Sequence, residues 1–249
     1  MITDHHAAGR FAKMRTLGMK CLLATTTAAV VLAAGVAGPA SAAPSAQPKA
    51  IDLSAEAEAQ LTDIWTQYGV ASDVQQRLIE KFEAGYGLDS MSSAEPVSST
   101  TTTSGLSIDT VNTYADGSIS AFSVERPATV AKGGASTNAV GGCSGGGTGN
   151  IYTNCSVTGT FGGVSLGFYA GYTLSSSGNA RINTWGSGTS SSIPGINVTA
   201  PAFEVIRQVQ SGTTAAQVNL TTQWSYVSVG GGGTTRLEFR VKGLQAYTN

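Results

Sequence analysis

Two neighbouring segments near the start of the chain carry apolar side chains at the spacing of amphipathic helices. In the first, the apolar residues recur at i, i+3, i+4 and i+7 and share one helical face: Leu61, Ile64, Trp65 and Tyr68. Ser54 is a suitable N-cap for this helix, because its hydroxyl can accept from a free backbone N–H at the helix start. The pattern predicts a helix that begins after Ser54 and ends before Gly69.

The second helical segment follows at once and places Val74, Leu78 and Phe82 on one face. Ser72 and Gln75 have the spacing of a capping box, in which two side chains satisfy backbone donors at a helix start. A pair of glycines then ends the segment. Together, the two segments predict an α-helical hairpin within residues 43–88.

From residue 108 onward the period of apolar positions changes from 3.6 to 2, which is typical of strands with one buried face. Asp116-Gly117 lies between two alternating runs, 108–114 and 118–125. An Asp-Gly pair tolerates the backbone conformations of a tight hairpin turn. The sequence therefore predicts a β-hairpin over 108–125.

Later segments repeat this alternation. One apolar face runs along 164–174, and a second runs along 216–226. A break of four glycines at 230–233 separates the latter from a final alternating run over 237–241. Several short strands with Gly- and Ser-rich turns indicate an all-β domain over 108–249. The predicted fold class is mainly β: an antiparallel β-sandwich or meander barrel preceded by an α-helical hairpin.

The segment between the hairpin and the first strand, 89–107, is rich in Ser and Thr and has almost no apolar residues. Such a segment buries too little surface to offset the entropy lost on ordering. We therefore expect a flexible linker there.

The first 42 residues have the order of a secretory signal peptide. Arg15 and Lys20 precede an uncharged apolar run over 22–36, and small residues follow at 39–42. The apolar run is shorter than the roughly 20 residues that span a bilayer. We expect cleavage after Ala42, a secreted or cell-surface protein, and no stable membrane insertion of the mature chain.

Cleavage there changes the chemistry that the chain can perform. It removes both histidines, so a Ser–His–Asp or Cys–His catalytic site has no base. It leaves only Cys143 and Cys155, which in an oxidising compartment are expected to form one disulfide. Two thiolates without histidine do not complete a zinc site. We therefore expect no metal, no cofactor and no catalytic residue.

The charge of the mature chain also narrows the class of partner. Ten Lys and Arg remain against fourteen Asp and Glu, a net charge of −4. Phosphate binding needs clustered basic residues, so nucleic acid is not an expected partner.

Paired carboxylates are the one catalytic arrangement that the composition still permits. Glu204 and Glu238 lie opposite the apolar phase of their strands and should face outward. Glu238 is flanked at two-residue spacing by Arg236 and Arg240. Solvated cross-strand ion pairs explain this pattern better than a catalytic pair does.

Several motifs over residues 60–127 resemble a group of exported proteins from Gram-positive bacteria, mostly actinobacteria, that are uncharacterised. The motifs that carry the resemblance are Tyr68-Gly69-Val70, Leu78-Ile79-Glu80-Lys81, Gly85, Asp89-Ser90, Glu95-Pro96 and Tyr114-Ala115-Asp116-Gly117-Ser118. The resemblance implies the helix–linker–sheet layout and brings no known activity, cofactor or catalytic residue.

Two aromatic residues are the candidate binding residues. Tyr169 falls in the polar phase of its strand, and Trp185 is predicted on the opposite face from Ile182. Exposed aromatic rings can stack on sugars or anchor a protein partner. The alternative is that a second sheet or the helical hairpin covers them.

The sequence thus favours a non-catalytic extracellular binding or interaction protein, whose partner is a cell-envelope glycan or another exported protein. The first alternative is a glycan-active enzyme that uses carboxylates. The second is a secreted toxin or inhibitor whose helical hairpin is a docking element.

Overall fold

The computed structural model describes residues 50–127, 142–146 and 149–248. These residues form two antiparallel β-sheets, preceded by two α-helices. The predicted fold class, an antiparallel β-sandwich with an N-terminal helical hairpin, is confirmed. The predicted signal peptide, 1–42, lies outside the described residues.

The helical hairpin consists of α1 (Ala55–Gln67) and α2 (Ser72–Glu83). Ser54 caps α1 as predicted, because its hydroxyl accepts from the backbone N–H of Ala57 at 3.2 Å. Neither helix within the described ranges is long and apolar enough to cross a membrane.

The predicted capping box of α2 is wrong. Ala71 is the N-cap residue and makes no side-chain capping bond, and Ser72 already lies inside the helix. The Gln75 amide instead donates to the carbonyl oxygen of Val70 at 2.7 Å and to the hydroxyl of Thr66 at 3.2 Å. Gln75 therefore ties the second helix to the end of the first, a tertiary role that local spacing does not reveal.

The larger sheet contains seven strands: β1 (Ser98–Thr103), β2 (Ser107–Thr113), β3 (Ile119–Glu125), β4 (Ser144–Gly146), β5 (Ile151–Phe161), β6 (Val164–Thr173) and β7 (Arg181–Ser192). Their order is β1-β2-β3-β5-β6-β7, with β4 paired to β5. The turn between β2 and β3 is the predicted Asp-Gly turn, in which Gly117 has a φ of 89°.

The smaller sheet contains five strands: β8 (Ile196–Val198), β9 (Ala202–Arg207), β10 (Ala216–Tyr226), β11 (Gly232–Lys242) and β12 (Gln245–Thr248). Its order is β12-β11-β10, and β8 and β9 pair with different parts of β10.

The expectation of a flexible linker over 89–107 is corrected by the structure. A short 3-10 helix (Asp89–Met91) opens this segment, and Ser90 and Met91 are buried. β1 then pairs with β2 along its whole length. All six residues of β1 are exposed Ser or Thr, so the strand is ordered by backbone pairing at the sheet edge and shows no apolar alternation.

Two apolar clusters hold the molecule together. The first lies between the sheets and draws on β3, β5, β6, β10 and β11. The second joins the helical hairpin to one end of the sandwich, where Trp65 and Phe82 pack with Ile119 and Tyr226. The helices and the sheets therefore share buried surface, and the hairpin is docked on the β-domain.

Asp116 fastens the 3-10 helix to this end of the sandwich. Its carboxylate accepts from the backbone N–H groups of Asp89 and Ser118 and pairs with Lys81 at 2.8 Å. Burial opposes ionisation of Asp116, but these hydrogen bonds prevail and lower its pKa below the ordinary value of 3.8. The charged form of Asp116 therefore stabilises the fold.

We expect Asp116→Asn to lower the free energy of unfolding at neutral pH by roughly 1–2 kcal/mol. Because the pKa of Asp116 is depressed in the folded state, its contribution is present above the unfolded pKa and is lost as pH falls below about 4. Urea unfolding at pH 6 and pH 3 checks this. The difference from wild type should shrink at pH 3, and Asp63→Asn, on the exposed face of α1, should have little effect. An equal loss at both pH values would contradict the assignment.

Cys143 and Cys155 form the predicted disulfide. The bond joins β5 to the residue preceding β4, and Cys155 is fully buried in the core between the sheets.

Candidate binding cavity

The structure does not bring the two predicted binding residues together. Tyr169 lies on the outer face of β6 and is 42% exposed, as predicted. Trp185 lies opposite Ala170, which is buried, and packs partly against the core between the sheets. The two rings therefore point to opposite faces of the larger sheet.

A β-bulge explains why Trp185 does not face away from Ile182 as predicted. Gly171 pairs with Thr184, but the next residue of β6, Tyr172, pairs with Ile182. The extra residue, Asn183, reverses the alternation of β7, so Trp185 and Ile182 both face inward.

Glu204 and Glu238 face outward on the smaller sheet, as the alternation predicts. Both pair in register with Asn219 on β10, which separates their strands by about 10 Å. Glu238 forms ion pairs with Arg236 and Arg240. The Asn219 amide donates to Glu204 at 3.2 Å. Both ion pairs lie within β11, not across strands as the sequence predicts, and hydrogen bonds from Asn219 and Arg240 link the neighbouring strands.

A large cavity of about 1030 Å³ lies between the 3-10 helix and β11, and Arg236 and Glu238 line part of it. β12 pairs only with 239–242 of β11, so within the described residues the first half of β11 has no strand on its far side. The 3-10 helix packs near this free edge instead. We call this space the glycine-loop cavity; its main walls are the 3-10 helix, Trp224, Tyr226, residues 230–233 and Thr235.

Residues 230–233, called the glycine loop from here on, lie where only glycine fits without strain or overlap. Gly230 and Gly231 have φ values of 67° and 75°, which favour glycine. A Cβ on Gly232 would overlap the carbonyl oxygen of Trp224, and one on Gly233 would lie 3.1 Å from its indole ring. The backbone therefore lies directly against Trp224, and the loop has no side chains to fill the cavity.

Aromatic rings form another wall. Tyr226 meets Phe82 edge to face, with 5.1 Å between ring centroids, and meets Trp224 at 5.3 Å in the same manner. Phe122 and Phe161 contribute from the larger sheet. The helical hairpin thus fixes Tyr226, and Tyr226 in turn fixes Trp224.

Four buried polar atoms in these walls lack a hydrogen-bond partner among the described residues. They belong to residues that line the cavity: Ser90 Oγ, Trp224 Nε1, Tyr226 Oη and Thr235 Oγ1. Each such atom lowers the free energy of unfolding by about 1–3 kcal/mol when it stays unpaired. Native proteins hold few unpaired groups of this kind, and most of those found in the described residues cluster here.

The Tyr226 hydroxyl remains a neutral donor under physiological conditions. Burial raises the pKa of Tyr226 to about 12. The group can therefore donate a hydrogen bond to a ligand oxygen at any pH near neutrality.

Charged side chains also line the cavity. Asp89 is paired with Lys81 at 2.8 Å, and Glu238 is held by its two arginines. Within the described part of the chain, no group of three or more His, Cys, Asp or Glu residues is placed to hold a metal ion. The cavity offers aromatic rings and hydroxyl groups, with both carboxylates already engaged.

The alternation of β10 marks Trp224 and Tyr226 as core residues, which they are by burial. The local signal for the cavity is the run of four glycines only four residues beyond Tyr226.

Comparison with known proteins finds no matching family model, no matching curated protein and no matching solved structure.

Proposed function

We propose that this protein is a non-catalytic extracellular binding protein that holds a saccharide unit of an envelope glycan in the glycine-loop cavity. The observation that carries the proposal is the cluster of four unpaired polar groups at Ser90, Trp224, Tyr226 and Thr235. A saccharide supplies many hydroxyl groups that can pair with them, and its apolar ring faces suit the aromatic wall. The volume of about 1030 Å³ is at the upper end for small-ligand sites.

The glycine loop supports entry of a ligand. The four polar atoms are enclosed as well as unpaired, so a ligand reaches them only if a wall moves. Residues 230–233 are the wall with the greatest backbone freedom, because they carry no side chain. Closure over the ligand then exchanges four unpaired groups for hydrogen-bonded ones.

The test is co-sedimentation of the mature protein with insoluble Gram-positive cell-wall material, with sugar release assayed in the supernatant. Retention without released sugar is expected. Ser90→Ala and Thr235→Val should each weaken retention roughly 3- to 10-fold, because each loses one hydrogen bond. Released sugar would favour the glycan-active enzyme, for which Asp89 and Glu238 would be the first residues to test.

Tyr169→Ala is the matched control, because Tyr169 lies on the outer face of the larger sheet. It should leave retention unchanged if the cavity is the site. Loss of retention in Tyr169→Ala with full retention in Thr235→Val would instead assign binding to the sheet face.

A second candidate function is capture of another exported protein, favoured by the first half of β11, which no described strand pairs on its far side. An extended segment of that protein could add to β11 as a further strand. Under this alternative, cell-wall material would not retain the protein, and a pull-down from culture medium would identify a partner lost in the cavity variants.

A further inference from the structure

A second cavity, of about 530 Å³, opens between the edge strands of the two sheets. β1 forms one side of it, and β12 with the preceding turn forms the other. Tyr152 near the start of β5 lines this cavity, whereas Phe161 at the end of β5 lines the glycine-loop cavity. The two cavities therefore lie at opposite ends of the sandwich.

The side of β1 that faces this space is made of hydroxyl groups. Thr103 pairs with Ile108, which in turn pairs with the buried Val124, so Ser99, Thr101 and Thr103 lie on the inner face of the sheet. Inner-face positions are apolar where two sheets are in contact. Hydroxyl groups at these positions indicate a face built to meet water or a polar ligand, and we call the space the hydroxyl groove.

Arg126 supplies a positive charge at this groove. It follows β3 and lies on the same side of the strand as Val124. Its guanidinium donates to the carbonyl oxygen of Ser104 at 3.1 Å and forms no ion pair within residues 50–127, 142–146 and 149–248. The remaining donors of the guanidinium fork are suited to a carboxylate or phosphate.

A stacked aromatic pair completes the groove. The rings of Tyr152 and Tyr172 lie 4.8 Å apart between centroids and 15° from parallel. Tyr172 is only 3% exposed, and burial raises the pKa of its hydroxyl, which therefore stays neutral. Gln245 and Tyr247 add polar groups from the opposite side.

We propose that the hydroxyl groove is a second saccharide-binding site, and that it takes an anionic sugar whose negative group pairs with Arg126. The ring and hydroxyls of such a sugar suit the tyrosine and Ser/Thr walls, and its charge suits the Arg126 guanidinium, which forms no ion pair within the described residues. A peptide is a poorer match, because β1 offers no apolar pockets for side chains. The inference stands on the groove alone and does not require a ligand in the glycine-loop cavity.

The test is isothermal titration of the mature protein with three soluble probes. Tri-galacturonate carries carboxylates, its fully methyl-esterified form is the matched neutral probe, and galactose 6-phosphate carries a phosphate. We expect at least one anionic probe to bind, more weakly at high salt, and the ester to bind at least tenfold more weakly. Which anionic probe binds distinguishes a carboxylate from a phosphate ligand.

Arg126→Gln should weaken binding of the anionic probe roughly 10- to 100-fold, because a charge-assisted hydrogen bond is lost. Arg126→Lys keeps the charge without the planar fork, so its affinity for the anionic probe should fall between those of wild type and Arg126→Gln. Arg207→Gln, at an exposed arginine on β9, is the matched control and should bind as wild type does.

Binding of neither anionic probe, equal binding of the ester, or full binding by Arg126→Gln would overturn this inference. Equal competition by tri-aspartate would also overturn it, because the groove would then select charge alone. Cell-wall retention that depends on Thr235 but not on Arg126 would leave the proposed function intact. Anionic-probe binding without any cell-wall retention would support the groove as a binding site and contradict the proposed function of the glycine-loop cavity.

Discussion

Replacing Phe82 by alanine is expected to lower the free energy of unfolding by about 3–5 kcal/mol. Phe82 is fully buried on α2, and its ring meets Tyr226 of β10 edge to face. The truncation leaves a cavity between the helical hairpin and the sandwich. Urea unfolding monitored by circular dichroism measures the change.

Tyr86→Ala is the matched control for Phe82→Ala, because Tyr86 is 50% exposed just beyond the same helix. It should change the free energy of unfolding by no more than about 0.5 kcal/mol. If Phe82→Ala were equally mild, the hairpin would not be docked on the β-domain as described, and the cavity would lack its support.

Replacing Gly232 by alanine should lower the free energy of unfolding by about 3 kcal/mol and should also abolish retention on cell-wall material. The new Cβ overlaps the carbonyl oxygen of Trp224, so the backbone of the β10–β11 hairpin must shift. A shift of this backbone moves Trp224 and the glycine loop together. Thermal unfolding and cell-wall co-sedimentation measure the two effects.

The control for Gly232→Ala is Gly186→Ala on β7. A Cβ on Gly186 meets no atom of the described residues within 4 Å, and the φ of Gly186 is not in the left-handed region. Stability and retention should both stay close to those of wild type. A stable Gly232→Ala protein with full retention would show that the close approach of this loop to Trp224 is not needed.

The spacing of apolar residues along the chain is enough to predict those helices and strands that bury one face. The stripes around Trp65 and Phe82 mark both helices, and strict alternation marks β6, β10 and β11. β1 shows no apolar alternation, because its six Ser and Thr residues are all exposed and backbone pairing orders the strand.

The facing of single residues depends on register, which the sequence reveals less well. One extra residue at Asn183 turns Trp185 from the outer face to the inner one. The glycine-loop cavity is harder still to predict from the sequence, because its polar residues come from distant segments and each looks like an ordinary buried residue. They are Ser90, Trp224, Tyr226 and Thr235. Only their shared lack of partners, a tertiary property, distinguishes them.

The most direct test of the ligand-binding role of the glycine-loop cavity is a paired measurement on Tyr226→Phe. The variant removes one buried hydroxyl that has no hydrogen-bond partner in the described part of the chain, and it keeps the ring that packs on Phe82. We expect the free energy of unfolding to stay unchanged or rise by up to about 1 kcal/mol, while cell-wall retention falls roughly 3- to 10-fold. A loss of stability with unchanged retention would contradict the claim, because the hydroxyl would then serve the fold and not a ligand.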